Sequence, residues 1–290
     1  MICAIIPAAG QGSRMKSSVN KQFIDLCGVP VIVRTLRAFE ESPLIDSIVA
    51  VTRDSEREEL RLLCAKYNIK KLIGIAYGGD TRQDSVRNAL EFLANVKTRR
   101  RRLFNESINE NPKGNSQYDL NTSDSNVDHR IKKTNLNLTA PKESSSDTQC
   151  ESFDAENCYV LIHDGARPFV SEDIIRRSVD AVRKYSACGI GVPVKDTIKK
   201  VSSDLKILKT LPRENLWAIQ TPQSFHFPLI SKLHEKAFDD RLQFTDDTSL
   251  AEHYGESAYM VQGDYQNIKI TTPEDLLLGE MILNQIDSQN

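Results

Sequence analysis

The sequence predicts an α/β fold in which a mainly parallel sheet is flanked by helices, and three observations lead there. Short apolar runs alternate with amphipathic stretches through the first half of the chain. The amphipathic stretches carry helical spacing, with Leu60, Leu63, Cys64 and Tyr67 on one face and Val86, Ala89, Leu90 and Leu93 on another. The chain has 290 residues with 39% apolar content, enough to fill a core of that kind.

Taken in order, the predicted strands are residues 3–7, 47–52, 71–76, 159–163 and 189–194. Ser171, followed by Glu172 and Asp173, caps a helix, and Thr272-Pro273-Glu274-Asp275 opens the last one with a cap, a first-turn proline and two acids. From about residue 97 to 157 the rhythm breaks into Asn, Ser, Asp and Lys. Residues 98–156 are therefore expected to be a low-complexity, disordered insertion within a single domain spanning 1–290. The run Arg99–Arg102 at its start reads as a solvated charge run. Residues 195–214, polar but with Val201, Ile207 and Leu208 inside, read as a hairpin arm too polar to be core of its own subunit.

Charge and cysteine usage exclude several functions. The 38 basic and 40 acidic residues nearly cancel, so neither nucleic acid nor an anionic membrane is expected as the main partner. Six cysteines are scattered without a CxxC pair, which argues against a zinc site or a disulfide framework and for a reducing cytoplasm. No stretch is long enough to span a bilayer, and residues 2–6 read as a buried strand after a true start at Met1 rather than as a signal helix.

The first strand runs into Pro7-Ala8-Ala9-Gly10-Gln11-Gly12-Ser13-Arg14, with Lys21-Gln22 shortly after. Small residues let the backbone approach a ligand, successive N–H groups make a concave anion site, and the two cations can spread charge over a triphosphate. A glycine pair alone also describes an ordinary strand-to-helix turn, but such a turn leaves Arg14 and Lys21 unexplained. The third glycine of a dinucleotide fingerprint and the Gly-Lys-Ser/Thr ending of a P-loop are both missing.

That loop resembles the triphosphate loop of the nucleotidyltransferase superfamily. Further motifs narrow the likeness to the 2-C-methyl-D-erythritol 4-phosphate cytidylyltransferase family: Gly78-Gly79-Asp80-Thr81-Arg82-Gln83-Asp84-Ser85-Val86, His163-Asp164-Gly165-Ala166-Arg167-Pro168 and Pro193-Val194-Lys195-Asp196-Thr197. After them come Arg213-Glu214-Asn215-Leu216-Trp217, Gln220-Thr221-Pro222-Gln223, Thr245-Asp246-Asp247 and Asn267-Ile268-Lys269. The likeness covers everything except the insertion. It departs from the family's pattern at Gln266-Asn267, where an acid is common two residues before the lysine.

The resemblance implies a Rossmann-like nucleotidyltransferase fold whose hairpin arm crosses to a partner subunit, making a homodimer with shared sites. It implies CTP as substrate, a sugar-alcohol phosphate as acceptor and Mg2+ as cofactor. Arg14 and Lys21 match the family's transition-state stabilisers. Ala8, Ala9, Gly10, Gly12, Gly79, Asp80, Ser85, Asp164 and Gly165 match nucleotide-binding positions, with Asp164 also placed to meet the metal. Arg213 and Lys269, with Thr197, Thr221 and Thr245, match the group that positions the acceptor. Two other readings stay open: ribitol 5-phosphate cytidylyltransferase, and a nucleotide-binding module that has lost catalysis. Pro7-Ala8-Ala9-Gly10, Asp84-Ser85-Val86 and Gly165-Ala166 disfavour the first, and Arg14, Lys21, Arg213 and Lys269 disfavour the second.

Overall fold

Seven strands form one sheet in the order β11-β7-β10-β6-β1-β4-β5 in a computed structural model, which describes residues 1–10, 21–109 and 155–288. The chain separates into two units, Met1–Lys97 with Phe153–Asn290, and Thr98–Ser152. In the first unit the elements run β1 (Ile2–Pro7), the short pair β2 (Asp25–Leu26) and β3 (Val29–Pro30), α1 (Val31–Glu41), β4 (Ser47–Thr52), α2 (Arg57–Lys66) and β5 (Leu72–Tyr77). There follow α3 (Arg82–Asn109), β6 (Tyr159–Ile162), α4 (Glu172–Tyr185), β7 (Ala187–Pro193) and a two-stranded antiparallel hairpin of β8 (Lys199–Val201) and β9 (Ile207–Thr210). The chain closes with β10 (Trp217–His226), α5 (Phe227–Asp239), α6 (Asp247–His253), β11 (Tyr259–Gln262) and α7 (Pro273–Asp287).

The strand β1 explains why the sheet is covered on both faces. Side chains alternate across a strand. Ile2, Ala4 and Ile6 therefore join one core with Ile32, Leu36 and Phe39 of α1, Leu60 and Cys64 of α2, and Ile174 and Val179 of α4. Cys3 and Ile5 point the other way, into a core with Val86, Leu90 and Leu93 of α3, Phe227 and Ile230 of α5, and Leu250 of α6. All six residues of β1 are buried. At roughly 1.5–3 kcal/mol per large apolar side chain, these two layers dominate what holds the sheet in place.

All five predicted strands are present within two residues of their expected ends, and both helix faces pack as their spacing requires. Ser171 caps α4 by accepting from the Ile174 amide, and Thr272 and Asp275 form a capping box at α7. The sheet also holds β10, antiparallel to both β6 and β7, and the edge strand β11. Nothing in the local pattern of 217–226 announced a strand that runs against its neighbours.

A second difference lies at residue 98. The backbone of α3 continues to Asn109, through the first twelve residues of the segment expected to be disordered. Arg and Leu are good helix formers, and a helix already nucleated by packed residues extends at little further cost. The rest of the predicted insertion, up to residue 154, lies outside the described residues. Within 195–214 the chain forms the hairpin β8–β9, whose strand residues are all exposed.

Candidate active site

A cavity of about 480 Å3 opens where β1, β4, β5 and β6 end. These strands are adjacent and parallel, so all their carboxyl ends face the same rim. That is the side on which open α/β sheets bind ligands.

Three of the loops that wall it carry motif residues. After β1 come Ala9 and Gly10; after β5 come Gly78, Gly79 and Asp80; after β6 come Asp164 and Gly165. The glycines are required by close approach. A Cβ on Gly78 would lie 2.4 Å from Ala9 Cβ, and one on Gly79 would lie 2.2 Å from Asp84 Cβ. The loop after β5 is fixed by α3. Thr81 and Asp84 cap that helix reciprocally, the Thr81 Oγ1 accepting from the Asp84 amide and Asp84 Oδ2 accepting from the Thr81 amide. Ser85 Oγ then accepts from the Gly79 amide at 3.1 Å and donates to Thr81 O. The first turn of α3 thus holds the glycine loop rigid against the cavity.

Asp164 is the electrostatic centre. Lys269 Nζ lies 2.7 Å from its Oδ2, Arg167 Nε 3.6 Å from the same oxygen, and Arg82 Nε 3.4 Å from Oδ1. Burial alone would raise the Asp164 carboxyl. Lys269, Arg82 and Arg167 outweigh burial and hold it well below the usual carboxylate range. Arg82 also pairs with Asp247, Nη1 to Oδ2 at 2.7 Å, and Asp247 contacts His234 Nε2 at 3.0 Å. Burial opposes the Asp247 charge, but Arg82 and His234 bring its carboxyl down to about 2. Among the described residues that line the cavity, Arg53, Arg82 and Lys269 balance Asp54, Asp80 and Asp164 in number.

Behind Asp164 stands a neutral histidine. His163 Nε2 lies 3.0 Å from Arg167 O, a carbonyl that can only accept, so in the neutral ring Nε2 carries the proton. Nδ1 then accepts from the Thr221 hydroxyl at 3.1 Å, and that hydroxyl in turn accepts from the Asp164 amide at 3.1 Å. Burial is the main cause that pushes His163 down to about 4. An unfolded histidine takes its proton near 6.5, so the unfolded chain binds more protons between pH 6.5 and 4. Stability should therefore fall as pH drops through that window, by about 3 kcal/mol at most from this group. Asp164 and Asp247, with folded values depressed, lose their contributions only below about pH 4. Urea unfolding between pH 7 and 4.5 should show the slope in the native chain and a shallower one in His163→Asn. Equal slopes would mean that His163 does not titrate this way.

The profile of the family described as 2-C-methyl-D-erythritol 4-phosphate cytidylyltransferase matches residues 2–101 and 135–285. The chain belongs to this family. It is 37% identical over 285 residues to the 2-C-methyl-D-erythritol 4-phosphate cytidylyltransferase of Clostridium novyi (strain NT), covering 98% of this chain and 97% of that protein. The enzyme of the same name from Halalkalibacterium halodurans is 38% identical over 279 residues, covering 96% and 95%. The crystal structure of 4-diphosphocytidyl-2C-methyl-D-erythritol synthase from Anaerococcus prevotii superposes with a TM-score of 0.68 at 27% identity, covering 98% and 96%.

Of the positions matched to the cytidylyltransferase family, Ala9, Gly10, Gly79, Asp80, Ser85, Asp164, Gly165 and Lys269 meet at the cavity. Gly12, Arg14 and the side chain of Lys21 lie outside the described residues. The Ala8 amide donates to Val51 O at 2.7 Å. Thr221 is buried, with its hydroxyl engaged by the Asp164 amide and by His163. Thr197, Arg213 and Thr245 are exposed and do not line this cavity; Arg213 Nη1 donates to Lys195 O at 3.0 Å at the root of the hairpin.

Arg82 and Arg53, which reach the cavity, were not singled out from sequence. Arg53 follows β4 and donates from Nε to Ala9 O at 3.0 Å, tying two rim loops together. Arg82 stood inside a recognised motif. Its role became visible only once Asp164 and Asp247, 82 and 165 positions away, were beside it. Asn267, at the departure from the family's pattern, is buried and donates to Thr221 O and Gln220 Oε1, while its carbonyl accepts from Arg167. It fixes the turn that delivers Lys269.

Proposed function

We propose that the protein transfers the cytidylyl group of CTP to 2-C-methyl-D-erythritol 4-phosphate, releasing pyrophosphate. The observation that carries this reading is the convergence of Lys269, Arg82 and Arg167 on Asp164 in a cavity walled by the glycine loops. The acceptor's phosphate is its own nucleophile, because its second pKa near 6 leaves it ionised at neutral pH without a general base. An acceptor oxygen bonds to the α-phosphorus as the bond to the bridging oxygen breaks, and that electron pair leaves with pyrophosphate. The protein's part is positioning and charge neutralisation. The loop after β5, held by Ser85, would read the cytosine. Arg14 and Lys21 would face the triphosphate, and Lys269 with Thr245 would hold the acceptor phosphate.

Among the described residues no three His, Cys, Asp or Glu side chains form a metal cage. Mg2+ is bound with nucleotides through one or two carboxylates plus phosphate oxygens. Asp164 suits that mode, since it is ionised and its Oδ1 has only the long 3.4 Å contact to Arg82. Bound there, Mg2+ would withdraw charge from the phosphates. Among the described residues no helix is long and apolar enough to cross a membrane, and all described cysteines are free thiols, as in a reducing cytoplasm.

We also read residues 98–156 as an insertion dispensable for chemistry. In support, the family profile leaves 102–134 unmatched, and the cavity is lined entirely from the other unit. One assay tests these points together. Pyrophosphate release should require CTP, 2-C-methyl-D-erythritol 4-phosphate and Mg2+, stop with EDTA, and persist in a chain whose residues 98–156 are replaced by a short Gly/Ser linker. Release with ribitol 5-phosphate instead would reassign the acceptor, and none with either would leave a binding module. A folded but inactive shortened chain would make the insertion part of the site.

A further inference from the structure

The segment 242–247 carries Thr245, the proposed acceptor contact, and part of its support comes from far away in sequence. Gln83 in the first turn of α3 grips it with both ends of its amide. Its Nε2 donates to Leu242 O at 3.0 Å, and its Oε1 accepts from the Phe244 amide at 2.8 Å. The neighbouring Arg82 holds the end of the segment through Asp247. From the opposite side Gln223 of β10 accepts from the Asp247 and Thr248 amides and donates to Asp246 Oδ2. The same first turn of α3 fixes the glycine loop through Ser85.

We infer that Gln83 is a positioning residue that joins the nucleotide loop to the acceptor segment and sets where Thr245 stands relative to the α-phosphorus. A side-chain amide that reads N–H and C=O two residues apart imitates a strand partner. It fixes both the height and the register of the segment. Thr245 is the next residue after Phe244. A small displacement there moves the bound nucleophile, whereas the cytosine loop keeps its own brace through Ser85, Thr81 and Asp84. Loss of the Gln83 amide should therefore harm acceptor use and leave CTP binding alone. This rests on the proposed acceptor role of Thr245.

Gln83→Met tests it, because methionine keeps length and bulk without the two hydrogen bonds. Exchange of the Phe244 amide with deuterium should speed up in the variant, a readout that needs no substrate. The specificity constant kcat/KM for the acceptor should fall about tenfold, with the Kd of CTP measured alone within twofold of the native chain. Native acceptor kinetics in Gln83→Met, or equal losses for acceptor and CTP, would overturn the inference. If the native chain itself fails to use 2-C-methyl-D-erythritol 4-phosphate, the proposed function has failed; the exchange result still decides whether Gln83 holds the segment.

Discussion

Lys21→Ala and Arg14→Ala should each lower turnover by about 10²- to 10³-fold with the fold intact. Removing one preorganised donor that meets charge developing in a transition state typically costs that much. On the proposed mechanism no general base or nucleophilic side chain is needed, because the acceptor phosphate is already ionised. The site's catalytic power, on that mechanism, is electrostatic and positional. The chain re-enters the described structure at Lys21, the first residue of a short 3-10 turn whose next residue, Gln22, lines the cavity. Circular dichroism and the melting temperature should stay near native. Single-turnover rates with saturating CTP are the measurement. Near-normal rates in both variants would remove the triphosphate role from this loop.

The second large effect is a recovery. Arg213→Ala and Lys21→Ala chains, each nearly inactive alone, should regain activity when mixed, towards half of native per mixed dimer. Arg213 is exposed and does not line the cavity of its own chain. The hairpin beside it leaves Val201, Leu205, Ile207 and Leu208 exposed, between 47% and 81%, more apolar surface than so small a two-stranded element keeps in water without a partner. An arm that reaches a second copy explains both facts, and in a symmetric pair each arm would complete the other's site. A mixed dimer then gathers both defects into one site and leaves the other whole. If Arg213 served its own chain, every site would keep one defect and mixing would restore nothing. Subunit exchange, followed by mass, guards against a false negative from chains that never mix.

Sequence alone determined much of this protein because some signals are local. Glycines at 10, 78 and 79 follow strands; spacing at Leu60–Tyr67 and Val86–Leu93 marks helix faces; Ser171 and Thr272 mark helix starts. Each reports a backbone constraint satisfied within a few residues, so each is legible without a fold. The same holds for the motif residues that reached the cavity, Asp80, Ser85, Asp164 and Lys269 among them. The tertiary structure decided what depends on contacts between distant segments. β10 lies antiparallel between β6 and β7, and this puts the Thr221 hydroxyl against the Asp164 amide and Gln223 against the start of α6. Thr221, matched by resemblance to the acceptor group, braces the Asp164 amide and His163. Gln83 read as one letter of a motif, and its amide holds Leu242 and Phe244, 159 and 161 positions away. The physical reason is the nature of the interactions. A hydrogen-bonding or charged side chain has the same composition and spacing whether it faces solvent, a ligand or a buried partner. Only the long-range packing of the sheet selects among those three.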